Sequence, residues 1–157
     1  MPNWLYLLAN ASYHLGLALW IGGTIVLGAL TAPALFRALP RVEAGAVFGA
    51  ILRRFARLRV VALLLVVAGA AVKSTFWESH AATPWLVIRW VCIAVMAASI
   101  VYEIGVQERV MTRLRQGLTP EMGEDSPLRR EFGKHHRRAE RLMKVSLFAA
   151  ATALFFS

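Results

Sequence analysis

Four long apolar stretches, separated by charged connectors, follow one another along the chain. None of them contains Asp, Glu, Lys or Arg, and they are residues 4–36, 60–72, 91–102 and 145–157. A helix needs about 20 apolar residues to cross the hydrocarbon core of a bilayer, and basic side chains that reach the interface extend a shorter run. The pattern therefore predicts four membrane-spanning helices. Their expected bounds are residues 4–36, 60–77, 84–107 and 142–157.

Two of these helices carry a local complication. Pro33 is expected to kink or end the first helix, because proline lacks the amide hydrogen that an α-helix uses. The fourth apolar stretch is short, so the last helix spans only if Lys144 reaches back to the membrane surface or the bilayer thins around it.

A different periodicity occupies residues 41–59, between the first two predicted spans. Apolar side chains recur there at steps of three and four residues, whereas Arg53, Arg54 and Arg57 take other angles. This pattern predicts an amphipathic helix at the membrane surface. The predicted fold is therefore all-α: one domain over residues 1–157, an integral membrane four-helix bundle with an interfacial helix at 41–59 and a cytoplasmic connector at 108–141.

The charge distribution predicts the orientation. The net charge is +9, and all 18 Lys and Arg except Lys73 and Arg89 lie either between the first and second apolar stretches or between the third and fourth. Basic connectors stay in the cytoplasm, so both termini are expected outside a plasma (inner) membrane. Topology thus explains the positive charge without a nucleic-acid partner. Contacts with anionic lipids or protein partners are expected at Arg53, Arg54, Arg57, Arg137 and Arg138.

Polar residues in the first span form one candidate site. Tyr6, Asn10 and His14 follow one another at four-residue steps and therefore share a helix face. His14 is a candidate ligand for haem or a metal such as copper, or a proton acceptor, with Asn10 beside it. Alternatively, His14 is a packing histidine bonded to Asn10 or to a neighbouring helix. The other histidine expected on the outer side is His80, in a loop.

The third span carries a second candidate stripe at alternating steps of four and three residues. Its members are Trp85, Arg89, Cys92, Met96, Ser99 and Glu103. Arg89, with Lys73 at a similar depth, indicates an anion site or polar path, and charges inside a span usually pair within the bundle. The alternative is that both side chains extend to the interface. Cys92 and Met96 are soft ligands suited to Cu(I), or they are core packing.

None of the catalytic patterns GxSxG, HExxH, CxxC or a phosphate loop is present in the sequence. The residues therefore favour a structural or accessory subunit of a membrane complex over an enzyme. Two alternatives stay open: a haem- or copper-binding redox protein using His14, and a small-solute or ion transporter.

Several short motifs together resemble the DUF4149 membrane proteins, which include the transmembrane-protein-205-like proteins of animals. The motifs are His14 with Trp20, Gly22 and Gly23; Pro33 followed by Phe36, Arg37, Ala38, Leu39 and Pro40; Arg53, Arg54 and Phe55; and Leu128, Arg129, Phe132, Gly133, Lys134 and His135. The chain departs from the family pattern at residues 136–140, where a small polar stretch is usual. The resemblance implies a four-span protein of unresolved function, whose animal relatives are linked in general terms to tolerance of drugs and metal compounds. Its first helix also resembles that of copper-resistance D-type proteins and of four-span protoporphyrinogen oxidases.

Overall fold

A computed structural model describes residues 3–78, 84–117 and 126–157, and these residues are all helical apart from short connecting turns. The helices are α1 (Asn3–Ile25), α2 (Ala32–Ala38), α3 (Arg41–Phe76), α4 (Pro84–Tyr102), α5 (Glu108–Gly117) and α6 (Pro127–Phe155). Two π-helical segments, Val26–Thr31 and Glu103–Gln107, join α1 to α2 and α4 to α5.

The first helical unit continues through Pro33 and ends at Ala38. The π-helical segment immediately precedes α2, and Pro33 lies in the first turn of α2, where a missing amide hydrogen does least harm. Leu39 then adopts an extended conformation because the following Pro40 disfavours helical geometry at the residue before it. The sharp turn at Leu39 and Pro40 sends α3 back along α1.

The second helical unit differs from the sequence prediction. Residues 41–59 were expected to form an interfacial helix separate from a span at 60–77, but one unbroken helix, Arg41–Phe76, covers both. The prediction placed the boundary where the charges stop. A change from charged to apolar residues does not end a helix, and neither proline nor a turn residue stands near Arg59 to break it.

Side chains from four helices build a single core. Tyr13, Leu17 and Trp20 of α1 meet Ala62, Val66 and Ala70 of α3, and α4 and α6 complete the cluster. The α4 and α6 members are Cys92, Ile93, Met96, Ile100, Ala149, Ala150 and Ala153. Small residues on α3 and α6 face larger side chains on α1 and α4, so the helices interdigitate.

Helices α1 and α3 approach most closely at two glycines. A Cβ on Gly16 would lie 2.5 Å from the carbonyl oxygen of Ala62, and one on Gly69 would lie 2.5 Å from the carbonyl oxygen of Ala9. Neither carbonyl can move without displacing a helix. Glycine at these positions therefore sets the spacing of the two helices, as small residues do between membrane helices.

Within the described residues, three helical units are long and apolar enough to cross a membrane. They are Asn3–Ala38, Arg41–Phe76 and Pro84–Leu114. Large apolar side chains cover their outer surface, including Leu7, Leu64 and Val91, each more than half exposed. Such a continuous apolar exterior suits lipid rather than water. The chain is therefore a membrane protein, while the fourth span predicted at 142–157 stays a prediction.

Candidate functional site

Buried charged residues collect near the two ends of the helix core. We name the first group, at the end of α3 and the start of α4, the Arg89 cluster: Arg89, Glu78, Ser74, Lys73 and Asn10. Arg89 Nη1 donates to Glu78 Oε1 at 2.9 Å, and Nη2 donates to Glu78 Oε2. Arg89 Nη2 also donates to the Ser74 hydroxyl at 3.1 Å. This two-pronged pairing holds α4 against the end of α3 and satisfies most of a guanidinium that is only 3% exposed.

Lys73 extends the Arg89 cluster to α1. Its Nζ donates to Asn10 Oδ1 at 3.2 Å and lies 5.3 Å from the centre of the Tyr13 ring. The Tyr13 hydroxyl in turn donates to the carbonyl oxygen of Ala153 at 2.7 Å, which ties α1 to α6. Polar contacts at this end therefore join α1, α3, α4 and α6.

The surroundings of Glu78 lower the pKa of its carboxyl group. The hydrogen bonds from Arg89 hold the pKa of the Glu78 carboxyl below its ordinary value, with further help from the charges of Arg89 and Lys73 and from Ser74. Burial acts in the opposite direction and does not prevail. The Glu78 carboxyl therefore stays ionised to a lower pH than that of an ordinary glutamate.

We name the second group, about 14 residues earlier on α3, the Arg59 cluster: Arg59, Glu103, Trp20 and Phe55. Arg59 is 1% exposed, and its Nη1 donates to Glu103 Oε2 at 2.7 Å. The guanidinium carbon lies 4.6 Å from the centre of the Trp20 ring and 5.9 Å from that of Phe55. The cation is thus held by one carboxylate oxygen and by two aromatic faces.

Several hydrogen-bond donors of the Arg59 cluster have no partner within the described residues. They are Arg59 Nε, Arg59 Nη2 and Trp20 Nε1. In the Arg89 cluster, Arg89 Nε alone is unpaired among the described residues, so the hydrogen-bonding groups of the Arg59 cluster are less completely satisfied. Each unpaired buried donor costs about 1–3 kcal/mol of stability.

The π-helical segment Glu103–Gln107 places two polar side chains on α4's inner side. Glu103 reaches Arg59 of α3, and Gln107 Nε2 donates to the carbonyl oxygen of His135 in α6 at 2.8 Å. A π-helical turn changes the angular phase of the residues that follow it. The segment therefore lets one helix present polar groups to two neighbours in succession.

The geometry of both clusters is that of internal cross-links between helices. Each arginine is opposed by a carboxylate from another part of the chain, and the side chains around them are packed rather than arranged about a reacting centre. Within the described residues, no group of three or more His, Cys, Asp or Glu could hold a metal ion. The clusters thus bind helices together.

The comparison with family models gives one match: DUF4149, a domain of unknown function, over residues 15–118. The chain belongs to the DUF4149 family. The match runs from α1 to the end of α5, so both arginine–glutamate pairs of this DUF4149 protein lie inside it, whereas α6 lies outside.

No curated protein and no solved structure matches this DUF4149 protein.

In this DUF4149 protein, both ring nitrogens of His14 lie at hydrogen-bond distance from another residue. Its Nδ1 lies 2.8 Å from the carbonyl oxygen of Asn10 and its Nε2 lies 3.2 Å from the Ser157 hydroxyl. Because a carbonyl only accepts, Nδ1 carries the proton, and Nε2 accepts from Ser157. A haem iron or copper ion would have to displace that hydroxyl. His80 lies outside the described residues, so ligation by His14 stays a prediction.

The stripe predicted on the third span lies mostly on the buried face of α4. Arg89, Cys92, Met96 and Ser99 are buried, whereas Trp85 is 55% exposed and stacks on Phe156. Arg89 and Lys73 are buried among neighbouring helices, and their use as an anion site stays a prediction. Cys92 and Met96 belong to the core cluster, and their use as copper ligands stays a prediction.

The basic residues predicted to contact lipid or partners are all exposed. Arg53, Arg54 and Arg57 lie on α3, and Arg137 and Arg138 lie on α6. Arg138 Nη1 donates to the Tyr102 hydroxyl at 3.5 Å.

Sequence reasoning missed two charged members of the clusters, Arg59 and Glu78. It assigned Arg59 to the surface segment at 41–59, and it left Glu78 in a loop. The available signal was positional: Arg59 directly precedes an uncharged run, and Glu78 lies one short loop away from Arg89. A charge so close to a membrane-embedded stretch is expected to have a partner on a neighbouring helix.

Proposed function

We propose that this DUF4149 protein is a non-catalytic, four-span protein of the plasma (inner) membrane that serves as a structural or accessory subunit of a membrane complex. The observation that carries the proposal is the pairing of both buried arginines within the chain, Arg89 with Glu78 and Arg59 with Glu103. Charges committed to holding helices together are not available to a substrate.

The proposed fourth span is the apolar end of α6. Ala149, Ala150 and Ala153 pack in the same core as the three apolar helical units. Exposed Phe148 and Phe155 face away from the core, as lipid-facing side chains do. Four spans, with the basic connectors in the cytoplasm, would leave both termini outside.

The orientation can be tested with single cysteines. Cys92 is the only cysteine and is buried, so a Cys92→Ser background carries one new cysteine at a time. A cysteine added after Ser157 should react with a membrane-impermeant maleimide on intact cells, and Arg54→Cys should react only after the membrane is opened. The reverse pattern would overturn the proposed topology.

The accessory role predicts a stable association in the native membrane. Protein extracted from its own membranes with an amphipathic copolymer should run as a defined species larger than its own 17.4 kDa, containing at least one other protein in fixed ratio. Introducing the disruptive change Gly69→Val should abolish that species, while Gly22→Ala should keep it. A lone monomer in the native extract would contradict the proposal.

A further inference from the structure

The face of α6 that carries residues 134–145 has a distinctive arrangement. Lys134, Arg138, Arg141 and Val145 follow one another at steps of four, three and four residues, so they lie on one side of the helix, with Leu142 beside them. Together with His135 they line a hollow in the protein surface. We name this surface the α6 stripe.

The α6 stripe changes character along the helix axis. Three basic side chains come first, and the apolar Leu142 and the 54% exposed Val145 follow in the direction of the core. From Lys134 to Val145 the helix rises about 16 Å. A phospholipid has the same order of parts over a similar length, with an anionic phosphate next to apolar acyl chains.

The three cations of the α6 stripe are not neutralised by any residue that the structure describes. Within the described residues none of them forms a salt bridge, and Arg138 has only the Tyr102 hydroxyl at 3.5 Å. The neighbouring carboxylate of Glu140 is engaged by Lys144 at 2.7 Å. Three unneutralised cations lining one hollow create a strongly positive potential there.

Beside the stripe lie buried polar atoms that have no partner within the described residues. Gln107, which is 5% exposed, leaves its Oε1 unpaired, and His135 leaves its Nδ1 unpaired, while Gln107 Nε2 is bonded to the carbonyl oxygen of His135. Buried polar atoms of this kind usually contact a bound water or ligand. They lie at the basic end of the stripe, beside a residue that lines the hollow.

We propose that the α6 stripe binds one anionic phospholipid, with its phosphate held by Lys134, Arg138 and Arg141 and an acyl chain against Leu142 and Val145. The site rests on the proposed function in one respect, because α6 must enter the membrane near Leu142. The proposal goes beyond that function because it assigns a defined lipid site, and Arg137 is not part of this site.

Arg137 supplies the matched control. It is exposed and carries the same charge, but it is one residue from Arg138 and therefore points about 100° around the helix. A diffuse attraction to an anionic membrane would depend equally on Arg137 and Arg138. A lipid held on the stripe depends on Lys134, Arg138 and Arg141 and not on Arg137.

The test measures phosphatidylglycerol binding to the full-length protein in mild detergent by native mass spectrometry. Arg138→Gln and Arg141→Gln should each weaken binding about fivefold, and Arg137→Gln should leave it unchanged. Val145→Asp, which changes only the apolar end, should also weaken it. Equal losses for Arg137→Gln and Arg138→Gln would overturn the site. Helical circular dichroism of each variant ensures that only folded protein is compared.

Competitors identify the part of the ligand that is recognised. Inorganic phosphate and glycerol phosphate should not displace the lipid at concentrations where phosphatidylglycerol does, and phosphatidylcholine should compete poorly. Displacement by free phosphate would overturn the lipid assignment in favour of a small oxyanion.

Cysteine labelling after Ser157 distinguishes the proposed topology from the proposed lipid site. Labelling from the cytoplasm would overturn the position of α6 and the lipid site with it. External labelling combined with unselective lipid binding would overturn the lipid site alone.

Discussion

The Arg89 and Arg59 clusters both pair a buried arginine with a glutamate, but the two arginines differ in how many of their hydrogen-bond donors have acceptors. Arg89 donates hydrogen bonds from both Nη atoms to Glu78, and its Nη2 also donates to the Ser74 hydroxyl. Arg59 donates one hydrogen bond, from Nη1 to Glu103, and its guanidinium lies over the Trp20 ring. Both guanidinium groups are almost fully buried, at 3% and 1% exposed. Their difference lies in how many donors find oxygen acceptors.

The comparison shows that a buried ion pair does not stabilise a helix bundle by its presence alone. Removing two charges from water is costly, and only a well-matched geometry with further hydrogen bonds recovers the loss. The Arg89 cluster meets that requirement at a point where the chain reverses direction. The Arg59 cluster meets the requirement only in part, because aromatic rings contact the guanidinium where hydrogen-bond acceptors would otherwise lie.

Replacing each arginine by methionine gives the largest expected contrast. Arg89→Met should lower the free energy of unfolding by about 3 kcal/mol, because Glu78 loses its cation and keeps only the hydrogen bond from the Ser74 hydroxyl. Arg59→Met should cost about 1 kcal/mol or less, because it loses one hydrogen bond and also removes two unpaired buried donors. Unfolding in mixed detergent and SDS micelles measures both, and equal losses would contradict the distinction.

Glycine substitutions probe how rigid the packing is at the same two ends of the α1–α3 contact. Gly69→Ala should cost about 2 kcal/mol, because the new methyl group meets the Ala9 backbone, which cannot rotate away. Gly23→Ala meets the Phe55 ring instead, and we expect a smaller loss of about 1 kcal/mol because a side chain can adjust.

Gly22→Ala is the control for both glycine variants, since a methyl group there has nothing within 4 Å. It should leave stability unchanged or raise it by up to about 1 kcal/mol through better helix propensity. A loss at Gly22 as large as that at Gly69 would show that helix spacing is not the cause.

Acid should weaken the Arg89 cluster selectively. The pKa of Glu78 is lowered from 4.5, chiefly by the hydrogen bonds from Arg89, so the folded state favours the carboxylate. Its contribution is therefore complete above about pH 4.5 and is lost as the pH falls through the folded-state pKa. The difference in unfolding free energy between wild type and Glu78→Gln should shrink over that interval. A difference that stays constant down to pH 3 would contradict this assignment.

The smallest effect is expected at an exposed ion pair. Lys144 and Glu140 form an i,i+4 pair with a nitrogen–oxygen distance of 2.7 Å, yet their side chains are 67% and 48% exposed. Glu140→Gln should produce no measurable change in the unfolding midpoint, because water already solvates both groups. A clear shift would mean that this part of α6 is more enclosed than its exposure indicates.

The position of the first apolar helical unit followed directly from its hydrophobic run. Residues 4–36 were predicted as one span, and the structure has one unit, Asn3–Ala38, with a turn at Pro40 that its ring geometry explains. The buried face of α4, with Arg89, Cys92 and Met96, also followed from residue spacing. Both are local properties of the sequence.

The pairings could not be predicted in the same way. Arg59 and Glu103 are 44 positions apart, and whether they meet depends on how α3 and α4 are set against each other. The single helix Arg41–Phe76 was missed because a shift in charge was taken for a boundary. The π-helical segments contain Gly28 and Gly105, but no periodicity in the sequence marks them.

The length of α3 has a mechanical consequence. Its 36 residues rise about 54 Å, against a hydrocarbon thickness of about 30 Å, so α3 is roughly 24 Å longer than the apolar layer is thick. Because α3 is one unbroken helix from Arg41 to Phe76, the turn at Pro40 is held at a fixed distance from the opposite end of that helix. That distance is measurable by energy transfer between dyes attached at the two ends of α3.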